Sequence, residues 1–149
     1  MRTTPNRLRL AAAAAVALAA TAMLPGTAAA DDPPNVSMRG SGLMACPVDA
    51  TCLYEFERFN LDEPRGGMIW AYYGSVFVMD STANDKAMSV FNNTNNAVHL
   101  YDNGNYTGRC ADIQAYSSEP RLAELVLEKR VSAIGTREQL ACSSNHLAE

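Results

Sequence analysis

The residues with the greatest chemical capacity in this sequence are four cysteines, Cys46, Cys52, Cys110 and Cys142, and two histidines, His99 and His146. Thiols either hold a metal or close disulfides. A structural zinc site favours thiolates spaced as Cys-x2-Cys, and no two cysteines here stand that close. Disulfides need an oxidising compartment, and four cysteines allow three connectivities. Cys46 with Cys52 and Cys110 with Cys142 is the expected pairing. Pro47 and Asp49 suit a tight loop, and Cys142 falls just past the last predicted strand. In the chain-entropy model the two rings contribute about 2.4 and about 3.7 kcal/mol. For catalysis the inventory is thin. His99 alternates with Val98 and Leu100 as a surface or half-buried strand residue, and His146 lies near the end of the chain. There is no His-Glu-x-x-His, nucleophile elbow or Gly-rich phosphate loop. Asp80, Asp85 and Asp102 stand near turns, where Asp is common for structural reasons. No enzyme is predicted.

The compartment follows from the start of the chain. Arg2, Arg7 and Arg9 precede the Ala-rich apolar run Leu10–Leu24, and Ala28-Ala29-Ala30 offers a small-residue cleavage site. This pattern predicts a signal peptide over residues 1–30 and general secretion. The run is short for a membrane span. Removing residues 1–30 leaves 119 residues with 9 basic and 16 acidic side chains, a net charge of −7. One domain with one core is expected, as a secreted, extracellular monomer without a membrane partner. A surface of that sign repels nucleic acid phosphates. Asn35-Val36-Ser37, Asn92-Asn93-Thr94 and Asn105-Tyr106-Thr107 match the glycosylation triplet, which is frequent by chance.

The elements that must position these groups are short strands. Leu100–Gly108 reads as a strand running into a folded hairpin. Tyr101 and Tyr106 stand five apart, Asp102–Asn105 are turn formers, and Gly108 permits backbone closed to other residues. Tyr54 and Phe59 repeat the spacing 47 residues earlier, with Leu61 in place of Gly. Met88-Ser89-Val90 and Ser132-Ala133-Ile134 echo each other at an offset of 44. A repeat of this length implies two similar supersecondary units. Strands are expected over 52–57, 68–73, 75–79, 87–92, 97–102, 109–113 and 130–136. A short helical turn is expected within 121–129, from the spacing of Leu122, Leu125 and Val126. Trp70 is expected in the core. Residues 31–43, rich in Pro, Ser and Gly, read as a flexible arm. The domain is placed at 44–142, followed by a polar tail over 143–149.

The paired hairpins resemble the Greek-key motif of βγ-crystallins. The prefix Cys46-Pro47-Val48-Asp49-Ala50-Thr51-Cys52-Leu53-Tyr54, read with a secretory signal, narrows this. The chain is similar to the secreted bacterial metalloproteinase-inhibitor family with a crystallin-like fold. The resemblance implies an all-β, βγ-crystallin-like β-sandwich of two Greek-key motifs, with about eight short strands and two disulfides. It makes Tyr54, Phe59, Ser89, Tyr101, Tyr106, Gly108 and Ser132 the fold-motif residues.

The same resemblance implies an activity, the inhibition of an extracellular protease. The implied inhibitory segment is Cys110, Ala111 and Asp112. Family inhibitors of thermolysin-like enzymes carry a bulky apolar residue just after that cysteine, where this chain has Ala111, and no second cysteine braces the loop. The alternative is a structural half-cystine at Cys110, in a non-catalytic extracellular module. Crystallin-type motifs also bind calcium through two Asp or Asn residues followed, after a gap of two, by hydroxyl residues. Here Asn84-Asp85-Lys86-Ala87-Met88-Ser89 has Met88 at the first hydroxyl position, and Glu128-Lys129-Arg130-Val131-Ser132-Ala133 has Lys129 in the pair. Both sites read as degenerate, so no cofactor and no metal are expected.

Overall fold

The structure is a computed structural model that describes residues 32–136 and 140–142. Eight strands form two antiparallel sheets. They are β1 (Val36–Gly40), β2 (Thr51–Tyr54), β3 (Gly67–Tyr72), β4 (Ser89–Asn92), β5 (Val98–Asn103), β6 (Thr107–Ile113), β7 (Ser118–Glu119) and β8 (Ala133–Gly135). One sheet has the order β1-β3-β2-β4-β7 and the other β6-β5-β8. Three short 3-10 turns, Leu43–Ala45, Glu57–Asn60 and Leu122–Leu125, complete the described elements. The last falls where helical spacing places it. The expected all-β sandwich with two crystallin-like units is therefore what the chain forms.

The two units exchange strands. β7 follows the second hairpin in sequence yet pairs with β4 in the first unit's sheet. Reciprocally, the segment around Val76 runs along β8 of the second unit. Val76 and Ile134 exchange both backbone hydrogen bonds, at 2.7 and 3.0 Å. Each sheet thus carries one piece of the other unit, and neither unit has a complete edge without its partner.

Three expectations need correction. The arm placed at residues 31–43 is not free along its length, because Val36–Gly40 is β1 and pairs with β3 in full register. Its apolar signal is weak because only Met38 packs toward the protein among exposed and half-buried neighbours. The strand expected over 75–79 is reduced to isolated bridges. Asp32 captures this backbone instead, donating to Val78 O at 2.6 Å and accepting from Phe77 N–H at 2.9 Å. β7 lies outside every strand expected above, and its two residues carry no periodicity to read.

Strand alternation sorts the side chains. Leu53, Trp70, Tyr72, Val90, Val98, Leu100, Ile113 and Ile134 meet between the sheets, with Met79, Leu122, Leu127 and Val131 filling the rim. Trp70 sits in this core, as expected. Each outer face carries a smaller cluster and one disulfide. Cys52, Tyr54, Ile69 and Ala71 lie under the segment containing Leu43, Ala45 and Cys46. Tyr101, Cys110 and Ala133 lie under Tyr106 and Cys142. The bonds are Cys46–Cys52 and Cys110–Cys142, the expected pairing.

Candidate functional site

The two folded hairpins are built from the expected aromatic pairs. Tyr54 and Phe59 meet edge to face with ring centroids 5.5 Å apart, and Tyr101 and Tyr106 do so at 5.8 Å. Folding the corner needs left-handed backbone. In the second hairpin Asn105 and Tyr106 take φ of 62° and 55°, and Gly108 takes 78°. A Cβ at Gly108 would collide with Asp102 Oδ1 and the Asn103 amide. In the first hairpin Arg58, Phe59 and Asn60 are left-handed in succession, and Leu61 returns to ordinary helical backbone. Asn60 substitutes for the missing glycine. Its buried side chain accepts Phe56 N–H at 2.9 Å and donates to Gly40 O at 3.0 Å and Met68 O at 3.1 Å. Nothing in the residue pattern singled it out except its turn-forming type.

The serines behave differently from one another. Ser89 accepts Phe59 N–H at 3.0 Å and donates to Phe56 O at 2.7 Å, pinning its hairpin down. Ser132 donates instead to Asp85 Oδ1 at 3.1 Å. Ala133 pairs with Tyr101 as Ser89 pairs with Tyr54, so the second unit has no hydroxyl at the pinning position.

Cys110, Ala111 and Asp112 lie on β6, at the end of the three-stranded sheet. Ala111 packs against the core between the sheets. Cys110 and Asp112 face away from that core, toward Cys142. Cys110 is buried in its disulfide. The Asp112 carboxylate lies 2.6 Å from His99 Nδ1 and accepts Cys142 N–H at 3.2 Å through the same Oδ1. His99 is buried, at 5% exposure, rather than on the surface, because Asp112 supplies its partner. His99, Asp112 and Cys142 bring ligand-type atoms within 4.8 Å of one another. The Cys142 sulfur is committed to Cys110, so this group has no thiolate for a metal. A cleft of about 380 Å³ beside it is lined by Asn96, Ala97, His99, Asp112, Thr136 and Ala141.

The two calcium-type loops face each other. Asp85 donates its N–H to Val131 O at 3.2 Å, and Lys129 donates to Ala87 O at 2.8 Å. A small cleft of about 280 Å³ at the first loop is lined by Glu55, Phe56, Asp85, Lys86, Met88 and Lys129. The lining mixes the Glu55 and Asp85 carboxylates with Met88 and Lys129, and the Lys86 ammonium donates to Ser81 O and Thr82 O. Of the glycosylation triplets, the Asn92 side chain is buried, with Nδ2 2.7 Å from Asn96 O and 2.9 Å from Gln114 O.

Burial also sets the state of the tyrosines. It pushes the Tyr54 phenol well above its ordinary range, and that hydroxyl donates to Gly42 O at 3.2 Å. Tyr72 is raised by burial first and then by the carboxylates of Asp80 and Asp32. Tyr101 is raised by burial, then by Asp112 and Tyr106, and donates to Leu140 O.

The profile of peptidase inhibitor family I36 matches residues 41–113, from just ahead of the Cys46–Cys52 loop to the end of β6. Over this stretch, just under half of its length, the chain is similar to that family of peptidase inhibitors. Among solved structures it is similar to a domain from work on the evolution of the eye-lens βγ-crystallin fold. That match has 20% identity and a TM-score of 0.55, covering 69% of this chain and all of the other. It is also similar to a βγ-crystallin of Ciona intestinalis, at 16% identity and a TM-score of 0.50, covering 59% of this chain and 99% of that one. These likenesses concern the fold alone. No curated protein is significantly similar to the chain in sequence.

Proposed function

We propose that the protein is exported and inhibits an extracellular metallopeptidase by filling its substrate cleft. The match of residues 41–113 to an inhibitor family carries this reading. Two features of the fold support it. Each outer sheet face is cross-linked by a disulfide, and the first hairpin is pinned by Ser89 and Asn60. A surface so constrained loses little conformational entropy when it is held by an enzyme. The disulfides also suit export into an oxidising compartment after loss of residues 1–30. The segment Cys110-Ala111-Asp112 has its side chains engaged within the protein, which leaves only its strand backbone for such a contact.

A second reading is a non-catalytic extracellular module, and the inward-facing Ala111 favours it. Residual hydrolysis of a peptide substrate by a thermolysin-type metallopeptidase, measured at rising concentrations of the purified protein, separates the two. Progressive loss of hydrolysis supports inhibition. Full hydrolysis at micromolar protein removes this target class and leaves the structural module.

A further inference from the structure

The most exposed large apolar side chains among the described residues are Met44, Val48, Tyr116 and Leu61, at 98, 73, 62 and 57%. Met44 and Val48 stand in the β1–β2 connection, and Tyr116 stands in the β6–β7 connection. Exposed apolar side chains are ordinary when scattered and informative when grouped. Hydrogen bonds tie two of their loops to one connection, from opposite sides of β4. Asp49, next to Val48, donates its N–H to Asn93 O at 3.0 Å, and Tyr116 donates its own N–H to Thr94 O at 3.2 Å. Val48 and Tyr116 therefore belong to loops fastened to two consecutive residues of the β4–β5 connection. Leu61 lies against Gly42, two residues ahead of Met44.

The loop that carries Val48 is also stiff. The Cys46–Cys52 bond closes it. Inside the ring, Asn93 Nδ2 donates to Cys46 O at 3.2 Å and Pro47 O at 2.9 Å, while Asn93 N–H donates to Ala50 O at 3.0 Å. Pro47 fixes its own φ. Asp49 turns the chain back with φ 62°. Val48 cannot collapse onto the domain without breaking this bracket, so its methyls stay in water at a hydrophobic cost. The other natural contact, β6, keeps its side chains for internal use.

We propose that the Cys46–Cys52 loop, with Val48 at its tip, is the surface that enters the peptidase and places an apolar knob in a substrate side-chain pocket, with Tyr116 across β4 as a flanking contact. This rests on the inhibitor reading above. The loop falls inside the family match, which begins at residue 41. A peptidase selecting bulky apolar substrate residues provides a pocket of matching chemistry. Such contacts are dominated by a few residues seated in well-packed, desolvated pockets, and a knob held on a closed loop loses little entropy on entering one.

The test uses purified wild-type, Val48→Asp and Tyr116→Asp proteins against a thermolysin-type metallopeptidase, with thermal melts of each. Hydrogen exchange on the wild-type complex accompanies them. The expected result is an inhibition constant raised at least about tenfold for Val48→Asp, a smaller rise for Tyr116→Asp, and unchanged melting. Exchange protection should appear over residues 44–50 and 114–117. Wild-type inhibition that both variants retain, with protection confined to 107–113, overturns this surface and leaves the inhibitor reading standing. Wild-type protein that does not inhibit removes both.

Discussion

Asp85 and Lys129 occupy equivalent places in the two units. Both have left-handed backbone, with φ of 58° and 49°, and each donates its N–H to a carbonyl of the other's loop, Val131 O and Ala87 O. The duplication has kept this backbone geometry while replacing one carboxylate by an ammonium. These two backbone hydrogen bonds hold the loops together.

Calcium should therefore leave the stability unchanged. Thermal midpoints in millimolar calcium and in excess chelator are expected to agree within about 1 °C, because a ligand that does not bind the native state cannot stabilise it. Calorimetry reads this directly. A rise of several degrees with calcium would mean that Asp85, despite Lys86 and Lys129 near it, still coordinates the ion.

The pinning hydroxyl makes the two units unequal. Ser89→Ala leaves Phe59 N–H and Phe56 C=O without their partner in a buried corner, at a cost of about 2–3 kcal/mol. Ser132→Ala removes one bond to Asp85, costing about 0.5–1.5 kcal/mol. Urea unfolding of both variants measures the difference. Equal losses would show that the second hairpin depends on its serine as the first does.

Alkali should weaken the fold. Tyr54, Tyr72 and Tyr101 all have phenols raised above the ordinary value near 10 by burial. Above that pH the unfolded chain releases these protons and the folded protein keeps them. The contribution is fully present below about pH 10 and is lost as pH rises through the folded values. The urea midpoint, followed by fluorescence, is expected to decline above about pH 10. A midpoint constant to pH 11.5 would contradict the burial of these hydroxyls.

The sequence was most legible where side-chain type decides geometry. Tyr101, Tyr106 and Gly108 announce a folded corner because ring pairs and a residue without Cβ have few other uses in that order. The disulfide pairing was legible because Cys46 and Cys52 flank a turn. β1 was not, since its stability comes from hydrogen bonds to β3 that any residues could make. Asn60 was equally silent. Its role depends on Gly40 and Met68, which come near it only in the folded chain. His99 read as a strand surface residue because its partner, Asp112, is supplied by register with β6. The bracket that Asn93 builds inside the Cys46–Cys52 ring likewise joins residues 46 positions apart, beyond the reach of local pattern.

The most direct measurement is a tight-binding titration of a fixed amount of a thermolysin-type metallopeptidase with the purified protein. Peptide hydrolysis should fall linearly and reach its floor near one equivalent of intact inhibitor. Hydrolysis that continues unchanged past a large excess would contradict inhibition of this enzyme class.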